Sequence, residues 1–210
     1  MILQMKPFFG DEEKKALCDY MDSDPWITEF NKTTEFENLI KTFTKAKHCI
    51  VVNNGTVSLT LAALACNIKP GDEVIIPNYT MIATANSIKL LGATPVFVDV
   101  ESNSLCLDYS KIEEKITKKT KMMIIVSANG RYSDTSFNVY KKLAVTYGLA
   151  IVEDSAQALG SFYPNGSHIG SLGDIGSFSF SMPKIISTGQ GGALITNDDI
   201  LANKLRKLKD

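Results

Sequence analysis

Leu149-Ala150-Ile151-Val152-Glu153-Asp154-Ser155-Ala156-Gln157 decides the fold. Four apolar residues in a row read as a strand covered on both faces, and the strand carries an acidic pair to its end. Just upstream, Phe137, Tyr140, Leu143, Ala144 and Tyr147 share one face of a helix. Before that helix lies a second continuous apolar strand, residues 121–126. Two such strands joined through a helix are the signature of a parallel sheet with helices on both faces.

The alternation extends back to residue 49. Residues 49–52, 73–76 and 95–99 read as strands, and 57–66, 80–91 and 109–117 as helices, with Gly92 ending the second of these. After Gly160, Asn165-Gly166 marks a turn and predicts a hairpin over residues 162–169. Residues 175–180 and 193–196 read as strands. Residues 198–208 read as a last helix with Leu201, Leu205 and Leu208 on one side. The beginning of the chain differs. A helix is expected over residues 11–21 and another from Thr33, with Phe36, Leu39, Ile40 and Phe43 at i, i+3, i+4, i+7. Between them, residues 23–30 read as a loop holding the sole tryptophan, Trp26. The expectation is an α/β chain: an N-terminal helical segment over residues 1–48, then a three-layer α/β/α domain with a mainly parallel sheet over 49–210. No internal repeat is visible.

Composition narrows the function. A chain of 210 residues with 44% hydrophobic content is ordinary for a soluble domain with a substantial core. A net charge of -1 gives no electrostatic footing for nucleic acid or an anionic membrane. The basic run Lys204-Leu205-Arg206-Lys207-Leu208-Lys209 reads as a solvated helix face. No stretch approaches the roughly 20 apolar residues of a spanning helix. The opening run, Met1 to Phe9, is broken by Lys6 and Pro7 and does not read as a signal peptide. Cys18, Cys49, Cys66 and Cys106 are widely spaced, which predicts reduced thiols in a cytoplasmic protein. His48 and His168 stand in no zinc spacing with them, so no metal site is expected.

In sheets of this kind ligands bind beyond the carboxyl ends of the strands. Asn54-Gly55-Thr56, Asn78-Tyr79-Thr80 and Asp154 all fall there. Asn54-Gly55-Thr56 suits a phosphate at a helix start, and suits a plain N-cap equally well. Asp154 is costly to bury unless paired, and its partner is either a cationic ligand or a local cap. Gln157 reads as a ligand contact or a surface amide. Ser179 precedes Lys184, which sits among Met182, Pro183, Ile185 and Ile186 in a stretch ending Thr188-Gly189-Gln190-Gly191-Gly192. Read alone, Lys184 is a desolvated nucleophile or a snorkelling surface lysine. Together, a lysine that can form a Schiff base and a buried acid that keeps a pyridine nitrogen protonated suit pyridoxal 5'-phosphate chemistry. No Walker motif is present.

These stretches resemble the DegT/DnrJ/EryC1/StrS family of pyridoxal phosphate-dependent sugar aminotransferases. The matching segments are 54–59, 70–80, 91–100, 152–160, 173–180 and Lys184 with 188–193, in order along nearly the whole chain. The resemblance implies a type I aminotransferase fold and a homodimer with active sites at the interface. By position, Lys184 would be the Schiff-base lysine, Asp154 would pair with the pyridinium nitrogen, and Gln157 would approach the ring hydroxyl. Gly55, Thr56 and Ser179 would hold the phosphate. The implied reaction moves an amino group from an amino acid, glutamate above all, to a nucleotide-linked 4-keto-6-deoxy sugar, giving products such as perosamine or viosamine. Three departures stand out. Met81 occupies a place where many members stack an aromatic ring on the cofactor. Ser127-Ala128-Asn129-Gly130 replaces a His-Leu-Tyr-Gly segment. The chain stops at Asp210, where relatives continue into a smaller C-terminal domain, so this chain is expected to lack it. Two alternatives follow: a shortened, inactive paralogue, and a sugar dehydratase, which would carry histidine in place of Lys184.

Overall fold

The computed structural model describes residues 8–23 and 31–209; the expected Trp26 loop and the first seven residues lie outside the described residues. Strands β1 (His48–Val52), β2 (Glu73–Pro77), β3 (Thr94–Val98), β4 (Thr120–Val126), β5 (Ala150–Asp154), β6 (Ile175–Ser179) and β7 (Gly192–Thr196) form one sheet. Their order across it is β1-β7-β6-β5-β4-β2-β3. β7 pairs antiparallel with both β1 and β6, and every other pairing is parallel. Only β7 therefore runs against the rest, and the other six present their carboxyl ends along one edge. The chain steps outward from β2 to β3 and then returns to the opposite side of β2 with β4, which opens a crevice at that edge.

Among the described residues six α-helices complete the fold: α1 (Asp11–Asp22), α2 (Asn31–Thr44), α3 (Gly55–Ala65), α4 (Ile82–Lys89), α5 (Phe137–Tyr147) and α6 (Asp199–Lys209). Successive strand residues point to opposite faces. On one face Met122, Ile124, Val152, Ile175 and Leu194 pack with Leu59 and Ala62 of α3, Ile88 of α4 and Leu205 of α6. On the other, Met123, Ile125 and Ile151 meet Phe137, Tyr140 and Leu143 of α5, while Cys49, Phe178 and Ile195 meet Ile40 of α2. The three-layer α/β/α expectation holds. α3 sits between the sheet and two helices and is apolar nearly all round, as a covered helix must be.

Several elements differ from the sequence reading. Residues 109–117 form two 3-10 turns, Tyr109–Lys111 and Glu113–Lys115. Tyr109 and Ile112 both anchor in the same core, and an i, i+3 pair on one side suits the tighter helix. α4 starts at Ile82 because Met81 is extended (φ -63°, ψ 142°). The hairpin at 162–169 reduces to one bridge, Phe162 to His168, since the chain turns away at Gly170 (φ 98°). In α2 the inward face is Glu37, Ile40 and Thr44, and Leu39 and Phe43 are exposed. Glu37 is buried because both its oxygens accept from the Arg206 guanidinium and one also takes the Val51 N–H. Of Leu201, Leu205 and Leu208, expected on one side of α6, Leu205 is buried with Ala202, Leu201 packs against them, and Leu208 is 37% exposed.

Candidate active site

A cleft of about 650 Å³ opens at the carboxyl edge of the sheet. Its walls come from the segments that follow β1, β2, β4, β5 and β6, and from Gln190 just before β7. Gly55, Thr56, Met81, Asp154, Gln157, Ser179 and Lys184 all line it. Residues scattered over 130 positions are thus brought to one place by strand order alone.

One end of the cleft is the start of α3. Asn54 is extended and its Oδ1 accepts the Val57 N–H at 2.8 Å, so the N-cap reading holds. The cap leaves the N–H groups of Gly55 and Thr56 without an intrahelical acceptor, and the helix dipole adds positive potential there. Gly55 is pressed against Ser179: a Cβ on the glycine would lie 2.8 Å from Ser179 Cβ and 3.1 Å from its Oγ. Beneath this corner the buried hydroxyls of Ser58 and Ser177 bond to each other, tying α3 to β6. The Ser58 hydroxyl also reaches the Gly55 carbonyl at 2.8 Å.

The acid and the amine lie further along. Asp154 is the last residue of β5 and is 5% exposed. Its Oδ2 accepts the Thr84 hydroxyl at 2.7 Å and its Oδ1 accepts the Ala156 N–H at 3.3 Å. Burial pushes its carboxyl up, opposed by those two bonds and by the charge of Lys184. Lys184 lies in a turn closed by its own N–H to the Ser181 carbonyl at 3.1 Å. Burial lowers its pKa from the ordinary lysine value, and the Asp154 charge works the other way. Each group is thus desolvated, and each feels the other's charge. Among the described residues Asp154 has no ion pair within 4.0 Å, so its charge lacks a close cation.

The remaining wall fixes orientation. Asn129 takes a left-handed backbone (φ 53°), and its N–H donates to Gln157 Oε1 at 2.7 Å. With its oxygen occupied, Gln157 has its amide nitrogen left to offer the cleft. The segment that departs from His-Leu-Tyr-Gly thus meets Gln157 through its backbone. Met81 is 58% exposed on the cleft wall at the start of α4.

Three features escaped the sequence reading: the Thr84 bond to Asp154, the Ser58–Ser177 pair and the Asn129 backbone donor. Only the first had a signal, since Thr80 and Thr84 stand four apart at a helix start beside the expected cleft.

Pyridoxal phosphate needs an anion corner, an acid for its ring nitrogen and an amine near its carbonyl carbon. The residues fit. The Gly55–Ser179 corner is bare backbone and hydroxyl that a Cβ would fill, and Asp154 is a buried carboxylate short of a cation.

The sequence pattern that defines the DegT/DnrJ/EryC1/StrS aminotransferase family matches residues 8–210, and the chain belongs to that family. It is 42% identical over 204 residues to a GDP-perosamine synthase of Caulobacter vibrioides, covering 97% of this chain and 54% of that protein. The fold matches an aminotransferase from Psychrobacter cryohalolentis with a TM-score of 0.89 at 34% identity, over 96% of this chain and 51% of that one. It also matches the PLP-form of the putative sugar aminotransferase Spr1654 from Streptococcus pneumoniae, with a TM-score of 0.89 at 32% identity, over 99% and 57% of the two chains. The chain spans about half the length of the curated relatives it matches. The family resemblance, the type I aminotransferase fold and the expectation of pyridoxal phosphate are borne out. Among the described residues no helix is long and apolar enough to cross a membrane.

Proposed function

We propose that this chain serves the pyridoxal phosphate-dependent transfer of an amino group from an amino acid, glutamate in this reading, to a nucleotide-linked 4-keto-6-deoxy sugar. The GDP-perosamine synthases among its relatives make a GDP-linked sugar the first to test. One observation carries the reading: the Lys184 amine and the buried Asp154 carboxylate line one cleft whose far end is the Gly55–Ser179 corner. When bound, the cofactor supplies an electrophilic carbon and an electron-accepting ring.

The chain's own residues do the rest. The N–H groups of Gly55 and Thr56 and the Ser179 hydroxyl hold the phosphate. Asp154 accepts the ring N–H and keeps that nitrogen charged. Gln157, through its amide N–H, and Met81, through its thioether, would help hold the ring from the cleft wall. Lys184 holds the cofactor covalently through Nζ. Freed from that bond, Nζ would be the base that takes up and gives back a proton, a task suited to an amine with a lowered pKa. Assembly as a homodimer and a cytoplasmic setting belong to the same proposal.

Adding pyridoxal phosphate to the purified chain should raise the visible absorbance of a lysine-bound cofactor, and Lys184→Ala should abolish it. Glutamate with a GDP-linked 4-keto-6-deoxy sugar should then yield the amino sugar. A deoxygenated sugar would mark a dehydratase instead. A band that survives Lys184→Ala would overturn the lysine assignment.

A further inference from the structure

Asp154 is held by a hydroxyl to which the chemistry above assigns no role. Thr84 is fully buried in the first turn of α4, its own N–H bonded to the Met81 carbonyl at 3.0 Å. Its Oγ1 lies 2.7 Å from Asp154 Oδ2 and 2.7 Å from Thr80 Oγ1. Proton counting gives this chain a direction. An ionised carboxylate can only accept, so Thr84 must spend its single proton on Asp154. It then has only lone pairs for Thr80, which must be the donor. The result is a one-way series from Thr80 to Thr84 to Asp154, whose bonds reinforce one another. A donor aimed at Oδ2 favours the carboxylate over the acid, against the burial that favours the acid. Among the described residues the second oxygen has only the longer 3.3 Å bond from Ala156, and the charged side chain acting on the group is Lys184.

We infer that Thr84, backed by Thr80, is a positioning residue that fixes the rotamer and the ionised state of Asp154 for a cationic ring nitrogen. The inference rests on reading the cleft as a pyridoxal phosphate site. Thr84 touches neither cofactor nor substrate in this role. It acts only through Asp154, so its effect should be felt only by a ligand that has a ring nitrogen.

That selectivity is the test. The affinity of the full chain for pyridoxal phosphate and for its 1-deaza analogue, which carries C–H in place of the ring nitrogen, is measured by absorbance titration. Thr84→Val keeps the shape and removes the donor. It should weaken pyridoxal phosphate about tenfold and the analogue by less than about twofold, since a lost hydrogen bond to a charged group acts only where that charge is used. Thr84→Ser keeps the hydroxyl and should hold both affinities within about twofold of the unaltered chain. Thr80→Val should shift pyridoxal phosphate selectively in the same direction by a smaller factor. Equal losses on both ligands in Thr84→Val would reduce Thr84 to packing and overturn the inference, as would no loss. Should Thr84→Val not fold, Thr80→Val decides, and equal or absent losses there overturn the inference in the same way. If the unaltered chain binds neither ligand, the reading of the cleft fails and takes this inference with it. Binding by the unaltered chain without selective loss defeats the inference alone.

Discussion

Gly55 and Ser179 leave no space between them: a Cβ on the glycine would sit 2.8 Å from the serine Cβ. These two residues come from the starts and ends of elements more than 120 positions apart, and their contact shapes the anion corner of the cleft. Gly55→Ala must push α3 away from β6. Overpacking of this kind costs about 1–3 kcal/mol, so a lower unfolding midpoint is expected. Affinity for pyridoxal phosphate should fall by more than about tenfold, because the displaced N–H groups are the ones that would meet the phosphate. Absorbance titration beside thermal unfolding checks both. Unchanged affinity would place the phosphate elsewhere.

Asp154→Asn should stabilise the cofactor-free chain while weakening its hold on the cofactor. Burial raises the native carboxyl pKa above the unfolded value. Below about pH 4 the group is protonated in both states and nothing is lost. As pH climbs through the unfolded value and then the native one, the native state holds the extra proton and stability declines. At neutral pH the amide escapes that loss, so the variant should melt higher than the unaltered chain, with the gap closing toward about pH 4. A lower midpoint for the variant at neutral pH would show that Thr84, Ala156 and Lys184 outweigh burial.

Glu153, next to Asp154 but facing the opposite side of the sheet, should prove purely structural. It is fully buried and accepts from the Tyr163 hydroxyl at 2.7 Å and from the N–H groups of Gly170, Leu172 and Gly173 at 2.9, 2.7 and 2.5 Å. Glu153→Gln sets an NH2 against these donors and should cost about 2–3 kcal/mol in denaturant unfolding; Tyr163→Phe should cost about 1–2 kcal/mol. Cofactor affinity should be held within about twofold for Tyr163→Phe. A change beyond that would tie the 163–173 segment to the cleft.

Thiol labelling should separate one cysteine from the other three. Cys18 is exposed on α1, whereas Cys49 and Cys106 are buried. Burial pushes the Cys49 and Cys66 thiols up to about 12 and raises Cys106 as well. Since the thiolate is the reactive form, a maleimide should modify one site quickly in the native chain and all four after unfolding. Fast modification of a second site would locate a local opening.

The sheet was legible because most of its strands hold short apolar runs of parallel-sheet length, and each was found within two residues. The candidate site was legible at Asp154, a carboxylate ending a buried strand. Lys184 does line the same cleft, but Met182, Ile185 and Ile186 beside it in sequence are exposed, so its desolvation comes from the cleft and not from those neighbours. What stayed hidden depends on three-dimensional placement. Periodicity put Leu39 and Phe43 inside, yet the face of α2 turns toward Glu37 because Arg206, far along the chain, neutralises it there. Residues 109–117 have helical composition but are pulled into 3-10 turns by anchors three apart. The pairing of Thr84 with Asp154 joins two elements 70 positions apart; the spacing of Thr80 and Thr84 at a helix start marks a hydroxyl pair beside the cleft but does not name the acid it meets.

The lone reversed strand has a consequence for how the chain matures. β1 has β7 as its only neighbour in the sheet, and Gly192 at the head of β7 abuts the Asn54 carbonyl, where a Cβ would come within 2.6 Å. The edge that leads into the Asn54-Gly55-Thr56 corner therefore cannot be locked until residues near 196 have been synthesised. Such long-range closure is slow. β2 to β5 need nothing beyond residue 154 to pair with one another, whereas the corner at Asn54 waits for β7, so a chain cut short before Gly192 would lack a finished corner.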